Sequence, residues 1–197
     1  DDYIFKDIFS MSGIHKPDKI INLTQALAFQ IGGEVSYTEL SKIVGLNYDT
    51  IESYITLLEQ AFIVFRLKPY FNNQRTSIRK SRKIYFWDNG IRNALIKNFN
   101  SIGLRNDVGA LFENFFVSEM LKKHFNTGEQ KNYYFWRTYD QKEMDLIEEY
   151  GGRLRAFECK YSDAKKMSAS TQRTFLETYP NSEINIVTKK NYIDFLI

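Results

Sequence analysis

The chain has 197 residues, with 27 Lys/Arg against 24 Asp/Glu, two histidines and one cysteine. One cysteine excludes an intrachain disulfide and fits a reducing cytoplasm, and no 18-residue apolar run is present to span a membrane as a helix. At 43% hydrophobic and 16% aromatic the chain can fill one large core or two small ones. It opens on Asp1 without a signal peptide, which is expected of a piece cut from a longer protein.

The apolar positions Ile20, Leu23, Leu27 and Ile31 have helical spacing over 19–31, and Gly32-Gly33 stops that helix. Ser36-x-x-Glu39 is a capping-box pattern that opens a short helix through Val44. Asn47 or Asp49 then caps a longer helix over 50–60, with Ile51, Tyr54, Ile55 and Leu58 inward. A short helix, a turn and a longer helix is the helix-turn-helix pattern, whose second helix can enter a DNA major groove. Residues 62–69 and 83–88 read as strands, and a helix over 88–97 closes the unit.

The basic stretch between these strands predicts a wing. From Glu59 to Asp88 there is no acid, while Arg75, Arg79, Lys80 and Arg82 fall within it. Residues 1–104 hold 13 basic against 10 acidic side chains, and 105–197 hold 14 of each, so the whole excess lies in the first half. Such a run fits a phosphate-facing surface. The competing reading is a solvated loop, with the unit serving as a spacer or protein contact. The Gly103-containing stretch 98–107 is the expected boundary, giving units 1–104 and 105–197.

The second half reads as α-β-β-β-α-β. Its helix covers 107–123, and Glu113 lies at the margin of that helix's apolar stripe. Strands follow at 133–138, 143–150 and 154–161, then a helix at 168–178 and a strand at 184–188. Gly151-Gly152 makes the tight turn of a hairpin. Strict alternation puts Glu158 and Lys160 on one face, with Cys159 opposite in the core; on the partner strand it puts Asp145 with Ile147, opposite Met144 and Leu146. The hairpin lets Asp145 and Glu158 converge. Three carboxylates, Glu113, Asp145 and Glu158, can hold Mg²⁺ or Mn²⁺, hard cations that take oxygen ligands. Lys160 can orient the attacking water and offset charge on a phosphate. Each acid alone is more often a surface group, and Glu-x-Lys alone is more often an ion pair. Arg137 and Gln172 are lesser candidates, and His15 and His124 stand too far apart to suggest zinc.

The pieces Gly109-Ala-Leu-Phe-Glu-Asn-Phe-Phe, Tyr134-Phe-Trp-Arg-Thr, Glu143-Met-Asp-Leu-Ile and Ala156-Phe-Glu-Cys-Lys resemble the restriction-endonuclease-like superfamily, written PD-(D/E)-x-K. Met144 stands where that signature has proline. With Tyr3-Ile-Phe-Lys-Asp-Ile and the stretch 83–95, the chain resembles the C-terminal half of a family of prokaryotic AAA-type ATPases. The resemblance implies an α/β (α+β) architecture: a winged helix-turn-helix, then a nuclease-like domain of unknown function. It implies a Mg²⁺-dependent hydrolase contacting nucleic acid, DNA above all, with the protein's own N-terminal ATPase domain and possible homo-oligomer copies as partners. ATP would bind in that preceding region, since no G-x-x-x-x-G-K-[ST] occurs here. The alternative is a non-catalytic nucleic-acid- or protein-binding module.

Overall fold

The structure is a computed structural model that describes residues 16–70, 82–128, 131–162 and 166–197. It is a mixed α/β protein that divides into two compact units. Among the described residues the first holds 16–66 and 82–105, and the second holds 67–70 and 106–197. The linear division near residue 104 therefore misses one strand end, which groups with the second unit.

In the first unit, α1 (Pro17–Phe29) starts with proline, whose missing N–H costs nothing at a helix start. Its C-terminal carbonyl at Ala28 accepts from Arg92 Nε at 2.8 Å, a cation placed where the helix ends negative. Helix α2 (Tyr37–Val44) is capped by Ser36, which accepts from the Glu39 N–H at 3.3 Å. Helix α3 (Tyr48–Gln60) is capped by Asn47, which accepts from the Thr50 N–H at 2.8 Å. Ile20, Leu23 and Leu27 of α1, Leu40 of α2, and Ile51, Ile55 and Leu58 of α3 are buried. Strands β1 (Val64–Pro69) and β2 (Lys83–Phe86) follow, and Phe65 stacks on Tyr85 at 5.5 Å between ring centroids. An isolated antiparallel bridge joins Glu34 to Lys83. Asp88 then caps α4 (Asn89–Leu95) through the Ile91 N–H.

The second unit begins its main run with α5 (Val108–Thr127), followed by β3 (Asn132–Arg137), β4 (Glu143–Tyr150), β5 (Arg153–Lys160), α6 (Ala169–Thr178), β6 (Ser182–Thr188) and the short α7 (Ile193–Leu196). The strand order in this unit is β1-β3-β4-β5-β6, with β1 contributing its C-terminal end. Pairs β3–β4 and β4–β5 are antiparallel; β1–β3 and β5–β6 are parallel. One face of the sheet packs on α5 and α7, where Phe157 meets Phe116 and Phe195, each at 5.6 Å. The other face packs on α6, where Phe175 meets Trp136 at 5.1 Å.

The β4–β5 turn is the two residues Gly151 and Gly152, both at positive φ (57° and 76°), between the register pair Tyr150 and Arg153. Positive φ at both positions is the mirror-image turn that matches strand twist. A Cβ at Gly152 would meet no atom within 4 Å, so alanine there is penalised by conformation alone. Gly152→Ala should cost about 1 kcal/mol. Urea denaturation measures this, and an unchanged midpoint would mean that the turn relaxes to another type.

Candidate active site

Between Tyr134 and Trp136 the β3–β4 register shifts: Tyr134 opposes Ile147, but Trp136 opposes Met144. Two steps along β3 match three along β4, so β4 carries an extra residue at Asp145–Leu146, a β-bulge. The bulge overturns strict alternation here. Met144 and Ile147, expected on opposite faces, lie in one core cluster with Trp136, Ala156 and Phe175. Beyond Leu146 and Phe157, β4 also leaves the β5 ladder. The N–H of Cys159, freed from backbone pairing, instead donates to Asp145 Oδ2 at 2.7 Å. A carboxylate thus takes the place of a ladder carbonyl, and a charge-assisted bond fixes it at the sheet's end.

Glu158, 9% exposed, and Asp145, 8% exposed, are both buried. Glu158 Oε1 accepts from Lys160 Nζ at 2.5 Å, while its Oε2 is buried without a hydrogen-bond partner among the described residues. Burial first, and then the negative charge of Asp145, push the Glu158 carboxyl up to about 7 despite Lys160. Burial is the largest single influence on Lys160 and opposes its charge, but the bond to Glu158 together with the negative charges of Glu158 and Asp145 outweighs it and holds the ammonium above the usual lysine range. Two acids and a lysine therefore form one electrostatic group.

Glu113, half-buried on α5, lines a pocket of about 380 Å³ with Asn106, Gly109, Asp145, Cys159 and Lys160. Glu158 is not among the residues lining it. The structure thus brings Glu113, Asp145 and Lys160 to one cavity, with Glu158 attached through Lys160 and Asp145. Cys159, expected in the core, is half-buried and lines the pocket, because β4 has left its edge of β5 by that point. Arg137 pairs with Glu143 at 3.4 Å, and Gln172 is exposed.

The oxygen-only donors and the unpartnered Glu158 Oε2 suit a hard divalent cation at the acid pair. Among the described residues, no group of three or more His, Cys, Asp or Glu side chains is arranged to hold a metal ion as they stand. A cation bound by Glu158 would have to displace the Lys160 ammonium from it.

Arg75, Arg79 and Lys80 lie outside the described residues. Arg82 reaches Glu52 at 3.8 Å, and its guanidinium lies 5.1 Å from the Tyr37 ring centroid. Helix α3 carries Asp49, Glu52 and Glu59 and no lysine or arginine. Sequence reasoning missed a second buried polar group in the other unit, His124 with Glu148. Its one legible signal was the hairpin register, which pairs Glu148 with Arg155.

Two family matches cover most of the chain: "Domain of unknown function (DUF4143)" over residues 108–195 and "Domain of unknown function (DUF8612)" over residues 1–102. Uncharacterized proteins of Mycobacterium tuberculosis and Mycobacterium bovis are each 28% identical over 153 residues, covering 77% of this chain and 34% of the relative. An uncharacterized protein of Haemophilus influenzae is 25% identical over 153 residues, covering 75% of this chain and 35% of its own. The chain thus spans about a third of the length of the curated relatives it matches. The crystal structure of protein VC1899 from Vibrio cholerae aligns at a TM-score of 0.28 and 11% identity, over 89% of this chain and 50% of that one. No helix among the described residues is long and apolar enough to cross a membrane. With its match running over more than half of its length, the chain belongs to the family described as "Domain of unknown function (DUF8612)".

Proposed function

We propose that residues 106–197 form a metal-dependent phosphodiester hydrolase domain of the PD-(D/E)-x-K kind. The observation that carries this reading is the buried acid pair Asp145–Glu158 with Lys160 at the splayed end of two strands, one carboxylate oxygen lacking a hydrogen-bond partner. Asp145 and Glu158 would hold Mg²⁺ or Mn²⁺, with Glu113 lining the same pocket as Asp145. A bound ion would supply Lewis acidity toward the phosphate and lower the pKa of a bound water. Lys160, half-buried at the pocket wall, supplies a fixed positive charge beside the reacting phosphate and an N–H to orient the water. The Cys159 N–H holds Asp145 in place. Incubation with single- and double-stranded DNA in Mg²⁺ or Mn²⁺ tests the reading: metal-dependent nicking supports it, and no cleavage of either substrate overturns it.

For the first unit we propose a winged helix following an ATPase domain in a cytoplasmic AAA-type protein, with ATP bound in that preceding part. The order α1, bridge, α2, α3, β1, β2 supports the architecture. The acids of α3 repel phosphate, so nucleic-acid contact rests on the basic run at Arg75, Arg79, Lys80 and Arg82 rather than on that helix. Neutralising all four should lower the log–log salt slope for duplex binding by about 0.9 per lost phosphate contact. An unchanged slope assigns this unit to protein contact.

A second reading, a nuclease-like module that binds without cutting, is favoured by one observation. The Lys160–Glu158 pair already neutralises the carboxylate a metal would need.

A further inference from the structure

Helix α5 carries Glu113 near one end and His124 near the other, eleven residues apart and about 16 Å along the axis. His124 is buried beside an equally buried Glu148 on β4, with Nε2 3.4 Å from Oε2. Lys131 Nζ lies 2.8 Å from the same His124 Nε2 and 3.5 Å from Glu148 Oε2. An ammonium can only donate, so in this contact Nε2 is the acceptor. Glu148 therefore faces two full cations, Lys131 and Arg155, the latter at 3.4 Å. Glu183 is mostly exposed and 3.9 Å from Arg155, so solvent screens that pair.

Lys131, Glu148, Arg155 and Glu183 wall a pocket of about 420 Å³ together with Arg153, Asn181 and Tyr150, so three cations of the lining face two acids. Arg153 is exposed and adds a further cation. The volume exceeds what a lone phosphate fills and falls in the range of small-molecule sites. The Tyr150 ring is 59% exposed and has the Lys131 ammonium 5.9 Å from its centroid. A cationic wall beside an open aromatic face is the combination that grips a nucleotide: the phosphate goes to the guanidinium and ammonium groups, and the base to the ring.

We propose that this pocket is a second, metal-independent binding site for a nucleotide unit, with Lys131, Arg153 and Arg155 on its phosphate and Tyr150 stacked on its base. The proposal stands without the acid-pair reading. If both hold, a single strand crossing the unit is gripped here, away from Asp145.

The test uses the full chain in EDTA, with three probes: inorganic phosphate, deoxyadenosine monophosphate and a short oligothymidylate. Arg153→Glu and Tyr150→Ala are the variants, because both side chains are exposed and neither change disturbs the core. Glu177→Gln, exposed on α6 and outside both pockets, is carried as the control. Arg153→Glu should weaken oligothymidylate binding about tenfold and reduce its salt slope by about 0.7. Tyr150→Ala should weaken it at least about fivefold, while Glu177→Gln binds as wild type. Equal dependence of the monophosphate on Tyr150 identifies a free-nucleotide site, and dependence seen with the oligonucleotide alone identifies a strand path; both sustain the proposal. No binding of any probe, or binding that neither variant weakens, overturns it and leaves the cluster as an ion network tying α5 to the hairpin. Phosphate binding as tight as the monophosphate, and indifferent to Tyr150, overturns it too.

Discussion

Asp145→Asn should abolish metal-dependent cleavage while leaving the fold intact. The amide keeps the shape and can still accept the Cys159 N–H through its oxygen, so the strand end stays closed. What it removes is a negative charge within reach of Glu158, and with it most of the attraction for a divalent cation. A loss of 10²-fold or more is the expected scale for removing charge aimed at a reacting centre. Lys160→Ala should also remove cleavage, but with metal binding kept or improved, because the ammonium competes for Glu158. Cleavage rates paired with metal titrations on both variants check this. If Asp145→Asn cuts as well as wild type, the chemistry lies elsewhere.

Glu158→Gln should remove a pH dependence of stability. The Glu158 carboxyl is pushed from 4.5 up to about 7, by burial first and by Asp145 second. A carboxyl with a raised folded pKa binds its proton more tightly folded than unfolded. Its contribution to stability is fully present below about pH 4.5, declines as pH rises, and is gone above about pH 7. The size is on the order of 3 kcal/mol over that window. Glutamine does not titrate, so the stability of the variant relative to wild type should rise across the same window. Denaturant midpoints at pH 5 and pH 8 measure it. Parallel pH profiles for the two proteins would mean that neither burial nor Asp145 raises the Glu158 carboxyl.

Much of this was legible in the sequence for local reasons. Ser36, and Asn47 as one of two candidates with Asp49, announced their helices because an N-cap is set by one side chain and the next turn. Gly151-Gly152 fixed the hairpin and its register, and with that the neighbourhood of Asp145 and Glu158. The bulge was not legible. An extra residue in β4 is defined only against β3, and period-two counting along one strand cannot see it. Cys159 was misplaced for the same reason: alternation predicts a core side chain, but the ladder that would bury it ends two residues earlier, at Phe157. The His124–Glu148–Lys131 group joins a helix end, a strand middle and a strand start, so no window of sequence contains it. The passage of β1 from one unit to the other is likewise set by its parallel pairing with β3, not by its own residues.

The central claim is that the acid pair takes a divalent cation. A crystal of the chain grown with Mn²⁺ and measured at the manganese edge tests it most directly. The account predicts an anomalous peak at about 2.1 Å from carboxylate oxygens of both Asp145 and Glu158, with Lys160 swung off Glu158 into the pocket. No peak at saturating Mn²⁺, with the Lys160–Glu158 pair still closed, would contradict it.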